Sequence, residues 1–187
     1  MPEQGALKGV TCRLMPDKLN VLVGPNGADR TTLLDCMTGI LPASEQMELP
    51  PMAQILYLTQ ELFFSPQLRG RDLAKCLCRL GGLRASNRVE DYQEGLDARE
   101  REMLAHLWDL KLGKASTGER RWLFVTLLTR IDRRLYLLDE PTNGVDPTSR
   151  LRILGRLQRL VEGGGSCLVS THHLQDLRHV DAHLICP

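Results

Sequence analysis

The sequence predicts an α/β fold with a mostly parallel sheet flanked by helices, and three observations carry that prediction. Short apolar runs at residues 19–23 (LNVLV), 54–58 (QILYL), 135–138 (LYLL) and 167–170 (CLVS) lack helical spacing and read as buried strands. Between them lie stretches with an apolar residue every three or four positions, so strands and helices alternate. Two of the strand ends run into a glycine-rich turn or a pair of carboxylates, where open α/β sheets place their ligands.

In chain order, residues 10–14 read as a short strand and 19–23 as a buried one. The turn 24–32 (GPNGADRTT) then enters a helix with Leu33, Leu34, Met37 and Ile40 on its apolar face. Residues 41–53, rich in Pro, Ser and Met, read as a loop before the strand 54–58 and Gln60. From residue 62 to about 115 the pattern is helical, with Leu68, Leu73, Leu77 and Leu80 in one segment and Leu96, Met103, Leu104, Leu107 and Leu110 in another. This is the signature of an inserted helical subdomain in a single domain spanning 1–187, the α/β core being 1–61 and 116–187. Its charged connection, 84–95, reads as solvated surface. A helix follows at 120–129; Ser116 with Glu119 three residues on forms a capping box. The strand ending in Asp139-Glu140 is stopped by Pro141 and turned by Asn143-Gly144. A helix opens at Asp146-Pro147 with Leu151, Leu154, Leu157 and Val161 as its buried stripe and its arginines mostly in solvent. The strand at 167–170 ends in Thr171-His172-His173, and a short helix and a strand at 183–186 close the order.

Composition narrows the function. With 25% charged residues, 42% apolar residues and a net charge of +1, the chain is an ordinary globular domain without the charge to bind a polyanion in bulk. Eight aromatics are too few for a base-stacking platform, so no nucleic-acid partner is expected. No apolar run approaches the ~20 residues of a membrane span, and MPEQGALKG lacks a signal peptide's basic and apolar regions, which predicts a cytoplasmic protein. The six cysteines form no CxxC pair and read as reduced thiols, mostly in the core.

The chemistry concentrates at the strand ends. Asp139 and Glu140 suit a division of labour in which one carboxylate holds a hard cation and the other polarises a water. The strand, turn and helix around Gly24, Pro25, Asn26, Gly27, Ala28, Asp29, Arg30, Thr31 and Thr32 have the setting of a phosphate-binding loop, with Thr31 where such loops place a hydroxyl on Mg²⁺.

Taken together and in order, these segments resemble the nucleotide-binding domain of the ATP-binding cassette (ABC) ATPases, a P-loop NTPase fold, over nearly the whole chain. GPNGADRTT resembles the Walker A loop, Gln60 the Q-loop glutamine, ASTGERR the signature, LYLLDEP the Walker B strand, NGVD the D-loop and STHH the switch-histidine motif. NGVDPTSR and STHH are most similar to ABC-2-type exporters and A-subfamily cassettes. The resemblance implies ATP and Mg²⁺ as ligands, Asp139, Thr31 and Gln60 at the metal, Glu140 at the attacking water and His172 at the γ-phosphate. It also implies that Ser116, Thr117, Gly118, Glu119 and Asp146 act on nucleotide in a dimer with a second cassette. The implied role is ATP hydrolysis driving transport by a membrane-spanning partner, from a peripheral position at the membrane.

The sequence departs from the family at informative points. Asp29 stands where the loop's last glycine belongs, Arg30 where its lysine belongs, Thr117 where the signature has glycine, and no aromatic precedes Tyr57 to stack on adenine. These changes support a second expectation, a degenerate cassette with weak or no hydrolysis that acts as a dimerisation or regulatory partner.

Overall fold

The computed structural model describes residues 12–16, 18–24, 30–43 and 47–186. The expected strand at 10–14 therefore begins outside the described residues, and its remainder, 12–14, forms no regular element. Pro25, Asn26, Gly27, Ala28 and Asp29 also lie outside them.

The chain divides into two compact units. The first comprises residues 1–61, 133–141 and 154–187, and holds the sheet. Its strands are β1 (Leu19–Leu22), β2 (Ile55–Leu58), β3 (Leu135–Asp139), β4 (Ser166–Ser170) and β5 (Ala182–Ile185), each within two residues of its apolar run. All pair in parallel, in the order β2-β3-β4-β1-β5. A parallel sheet needs cover on both faces, which is why its strands are continuously apolar rather than alternating. β3 is buried along its full length. Leu22, Leu135, Leu137 and Leu168 pack with Leu33, Leu34 and Met37 of α1 (Arg30–Met37). Each such side chain contributes about 1.5–3 kcal/mol by leaving water.

In β1 a fully buried polar residue interrupts the pattern. Asn20 in β1 accepts from the Met15 amide at 2.8 Å and donates to the carbonyls of Met15 and Lys18 at 3.1 Å and Cys167 at 3.2 Å. Its amide is thus satisfied on both sides, as burial demands.

The second unit comprises residues 62–132 and 142–153, wider than the 62–115 segment marked by the helical pattern. It holds α2 (Gly70–Leu80), α3 (Ala98–Asp109) and α4 (Thr117–Leu128), together with the first turns of α5 (Pro147–Glu162). Asp97 caps α3, accepting from the Glu100 amide at 2.8 Å while Glu100 accepts from the Asp97 amide at 3.0 Å. Arg152 donates to the same Asp97 at 2.8 Å, and that hydrogen bond and the Glu100 amide hold the carboxyl below its usual range.

Three expectations are corrected here. The connection 84–95 is not merely solvated surface. Tyr92 is buried, its ring 5.0 Å from that of Trp108, and its hydroxyl accepts from the Ser86 amide at 3.0 Å. In α5 the buried apolar residues are Ile153, Leu154, Leu157 and Val161, and Leu151 is exposed. Leu151 lies roughly 100° around the helix from the centre of that stripe, so the three-residue spacing to Leu154 misplaced it. Of the arginines, Arg159 is exposed while Arg150, Arg152 and Arg156 are half-buried. The thiols also differ from expectation. Cys78 and Cys167 are buried, Cys36 is half-buried, and Cys12, Cys76 and Cys186 are exposed; all six are free.

Candidate functional site

In the first unit the carboxyl ends of β3 and β4 lie side by side, with Asp139 in register with Ser170. Asp139 is fixed on both oxygens: Thr31 Oγ1 donates to Oδ2 at 2.7 Å, and Ser170 Oγ donates to Oδ1. Glu140 follows with φ of +49°, in the left-handed region that a non-glycine residue enters only under constraint. Its amide supplies that constraint, donating to Ser170 Oγ at 2.9 Å and to the Ser170 carbonyl at 3.2 Å.

The turn aims the Glu140 side chain at two partners. Arg30 Nη2, at the start of α1, lies 3.2 Å from Oε1, and His172 Nδ1 lies 2.7 Å from Oε2. Arg30 is 9% exposed and Glu140 5%, so this is a buried ion pair, and losing either partner would strand a charge. The His172 ring rests against that of His173, with centroids 3.9 Å apart. The sequence thus singled out Arg30, Thr31, Asp139, Glu140 and His172, and the fold brings all five together. Thr32 is half-buried in α1, Gly24 half-buried two residues beyond β1, and Gln60 exposed two residues beyond β2.

Two observations bear on whether a magnesium nucleotide fits. Arg30 Nη1 is buried and has no hydrogen-bond partner among the described residues. A buried guanidinium donor left unpaired is costly, and a phosphate oxygen is the acceptor its planar fork suits best. Thr31 and Asp139 offer a hydroxyl and a carboxylate on one spot. That is a hard-oxygen set matched to Mg²⁺, which takes one or two carboxylates and fills its octahedron with water and phosphate. The residues fit the pair.

Tyr57 joins this shell from β2, its hydroxyl donating to Asp35 Oδ1 at 2.9 Å. Burial, then that hydrogen bond and the charge of Asp35, push the phenol well above its ordinary pKa.

The signature residues belong to the second unit. Ser116 caps α4 through the capping box read from the sequence, accepting from the Glu119 amide at 3.1 Å while Glu119 accepts from the Ser116 amide at 2.7 Å. That amide holds the Glu119 carboxyl below its usual range. Thr117 Oγ1 accepts from Arg120 at 3.2 Å. At Asp146 burial pushes the carboxyl up, but hydrogen bonds from Ser149 and the Thr148 amide outweigh it and the pKa falls.

Gly118 and Gly144 touch through their backbones. A Cβ on Gly118 would stand 2.6 Å from the Gly144 carbonyl oxygen, and Gly144 itself has φ of +73°. Gly118→Ala should therefore lower stability by about 1–3 kcal/mol, several degrees in Tm for a chain of this size. Gly155→Ala, in the open interior of α5, should raise stability by roughly 0.5–1 kcal/mol. Thermal unfolding of the two variants checks the contrast, and equal shifts would contradict the backbone contact.

The sequence pattern that defines the ABC transporter family matches residues 7–143. The chain belongs to this family. Its relatives include the manganese transport system ATP-binding protein of Listeria monocytogenes, 27% identical over 90% of this chain and 74% of that one. ABC transporter G family member 5 of Arabidopsis thaliana is 30% identical over 93% of this chain and 29% of that one. A zinc import ATP-binding protein of Yersinia pestis is 28% identical over 96% and 65%. The chain thus spans from under a third to about three quarters of the length of these relatives. Among solved structures, an ATP-binding subunit of an ABC transporter superposes with a TM-score of 0.80 at 21% identity, over 99% of this chain and 81% of that one. A cassette from Pyrococcus furiosus gives 0.74 at 21%, over 94% and 88%. At that identity the neighbours establish the fold, a P-loop NTPase of ABC type. Among the described residues no helix of this ABC domain is long and apolar enough to cross a membrane.

Proposed function

We propose that this ABC domain binds ATP with Mg²⁺ at the carboxyl ends of β1, β3 and β4 and hydrolyses it to drive transport by a membrane-spanning partner. The supporting observation is the convergence of Arg30, Thr31, Asp139, Glu140 and His172. Bound Mg²⁺ supplies electrostatic screening of the phosphates. Thr31 and Asp139 hold it, with Gln60 reaching it from the end of β2. The backbone of residues 24–32 cradles the phosphates, and Arg30 extends its unpaired Nη1 to them. Glu140 polarises the attacking water. Each of its oxygens keeps a lone pair beyond those used by Arg30 and His172, so the base works without breaking either contact. His172 orients Glu140 and reaches the γ-phosphate.

Ser116, Thr117, Gly118, Glu119 and Asp146 act in trans, on nucleotide held by a second cassette in a head-to-tail dimer. The capping of α4 by Ser116 supports this, because it fixes the signature residues at a helix N-terminus, where backbone N–H groups favour an anion. The domain then works from the cytoplasmic side, held at the membrane by its transport partner. Titrating the purified chain with ATP and Mg²⁺, alone and with a partner cassette, while following phosphate release, tests the reading. Saturable binding with turnover is expected, and neither in either setting would overturn it.

A further inference from the structure

Ser170 opens the STHH stretch but carries no role in the reading above, which uses only His172 of that motif. It is a small polar residue at the end of an apolar strand, fully buried. Its hydroxyl nevertheless joins the two carboxylates of the site. As donor it serves Asp139 Oδ1, and as acceptor it takes the Glu140 amide at 2.9 Å. The Ser170 carbonyl takes that same amide at 3.2 Å, so residue 170 provides both acceptors for the one N–H of a residue held at φ of +49°. The parallel register of β3 and β4 makes this possible by setting Asp139 opposite Ser170.

We propose that Ser170 is a positioning residue that fixes the metal-holding carboxylate of Asp139 and the base Glu140 in one geometry. The proposal rests on the roles just assigned to those two carboxylates. The physical argument is one of constraint. Thr31 restrains only Oδ2 of Asp139, so without the Ser170 hydroxyl the carboxylate is free to rotate and its lone pairs no longer converge with Thr31 on one cation. The left-handed turn at Glu140 costs of order 1–3 kcal/mol and persists only where its surroundings hold it. A hydroxyl at position 170 therefore acts on the metal through Asp139 and on the base through the Glu140 amide. Any purely packing role would be served equally by alanine or cysteine.

The test uses Ser170→Ala and the nearly isosteric Ser170→Cys, which keeps volume but offers only a weak donor and acceptor. Three quantities are measured: amide exchange at Glu140 without nucleotide, Mn²⁺ affinity of the ATP-loaded chain by electron paramagnetic resonance, and kcat and KM for hydrolysis. For Ser170→Ala the Glu140 amide should exchange about tenfold faster and Mn²⁺ should bind about tenfold more weakly, the scale of one lost hydrogen bond to a charged site. The kcat should fall at least as much, with KM for ATP changing less. Ser170→Cys should shift each quantity the same way, and it decides the matter if the alanine variant does not fold. Unchanged exchange and Mn²⁺ affinity in a folded variant would overturn the proposal. If the parent chain binds Mn²⁺·ATP without turnover, the hydrolytic reading fails alone and the first two measurements still decide the role of Ser170. If it binds no Mn²⁺·ATP, both the reading and the proposal built on it fall.

Discussion

Glu140→Gln is expected to lower ATP turnover by about 10³-fold, the scale of a lost general base, while ATP still binds. Glutamine keeps the shape and can accept from one neighbour, but it cannot take a proton from water. The buried pairing adds a second expectation. Arg30 would lose its counter-charge 3.2 Å away while remaining nearly excluded from solvent. Removing one partner of a buried pair costs about 3–5 kcal/mol, so the variant should melt earlier than the parent without nucleotide. A phosphate near Arg30 would replace the lost charge, and added ATP should recover more stability in the variant than in the parent. Turnover, nucleotide titration and melting with and without ATP check the three parts. Turnover unchanged by the substitution would remove Glu140 from the base role.

In the phosphate loop, the double change Asp29→Gly and Arg30→Lys is expected to raise both ATP affinity and rate. A carboxylate at ~4 Å from a phosphate costs about 4 kcal/mol at an effective dielectric of 20, and even a third of that is tenfold in affinity. Asp29→Gly should supply most of the affinity gain, since it restores the glycine of the family pattern and removes both a negative charge and a side chain. Arg30→Lys conserves charge and should act on rate. An ammonium is a compact point charge, whereas the guanidinium fork is committed at one nitrogen to Glu140. Binding and turnover on the parent, both single variants and the double variant separate the effects. A parent that already matches the double variant in both would show that this loop accommodates Asp29 and Arg30.

How much of this was legible in the sequence depends on how local the cause is. The strand at 135–139 announces itself by four apolar residues and a pair of carboxylates, and the Ser116 cap follows from Glu119 three residues on. Thr31, Asp139, Glu140 and His172 could be placed because each stands at a strand end or helix start that the pattern already marks. The links between them could not. Arg30 meets Glu140, and Ser170 meets both carboxylates, only because β4 lies between β3 and β1 in the sheet, and strand order leaves no trace in periodicity. Tyr92 was hidden in a charged segment whose average masks one buried ring. Leu151 was misplaced because two registers of the three-to-four spacing both fit α5, and packing chose the one through Ile153. Nor does the sequence single out one branch of the family, since its relatives include a G-family member and two metal-transport ATP-binding proteins at 27–30% identity.

The strand order also has a consequence for how the chain acquires its structure. The residues of β1 are made well before those of both its neighbours, β4 and β5, which come after 165. Leu19 pairs with Cys167 on one side and Ala182 on the other. The entropy of closing so long a loop must be met before those pairings stabilise anything, so sheet formation is a late, non-local event. The helical unit is mostly contiguous, from residue 62 to 132, and its pairings close shorter loops than those of β1, as between Arg71 and Asp109. During translation its helices can assemble while the apolar strand LNVL still waits for its neighbours with both edges open. The nascent sheet is therefore most exposed to aggregation just before β4 and β5 emerge, and the two carboxylates of the site acquire Ser170 only when β4 does.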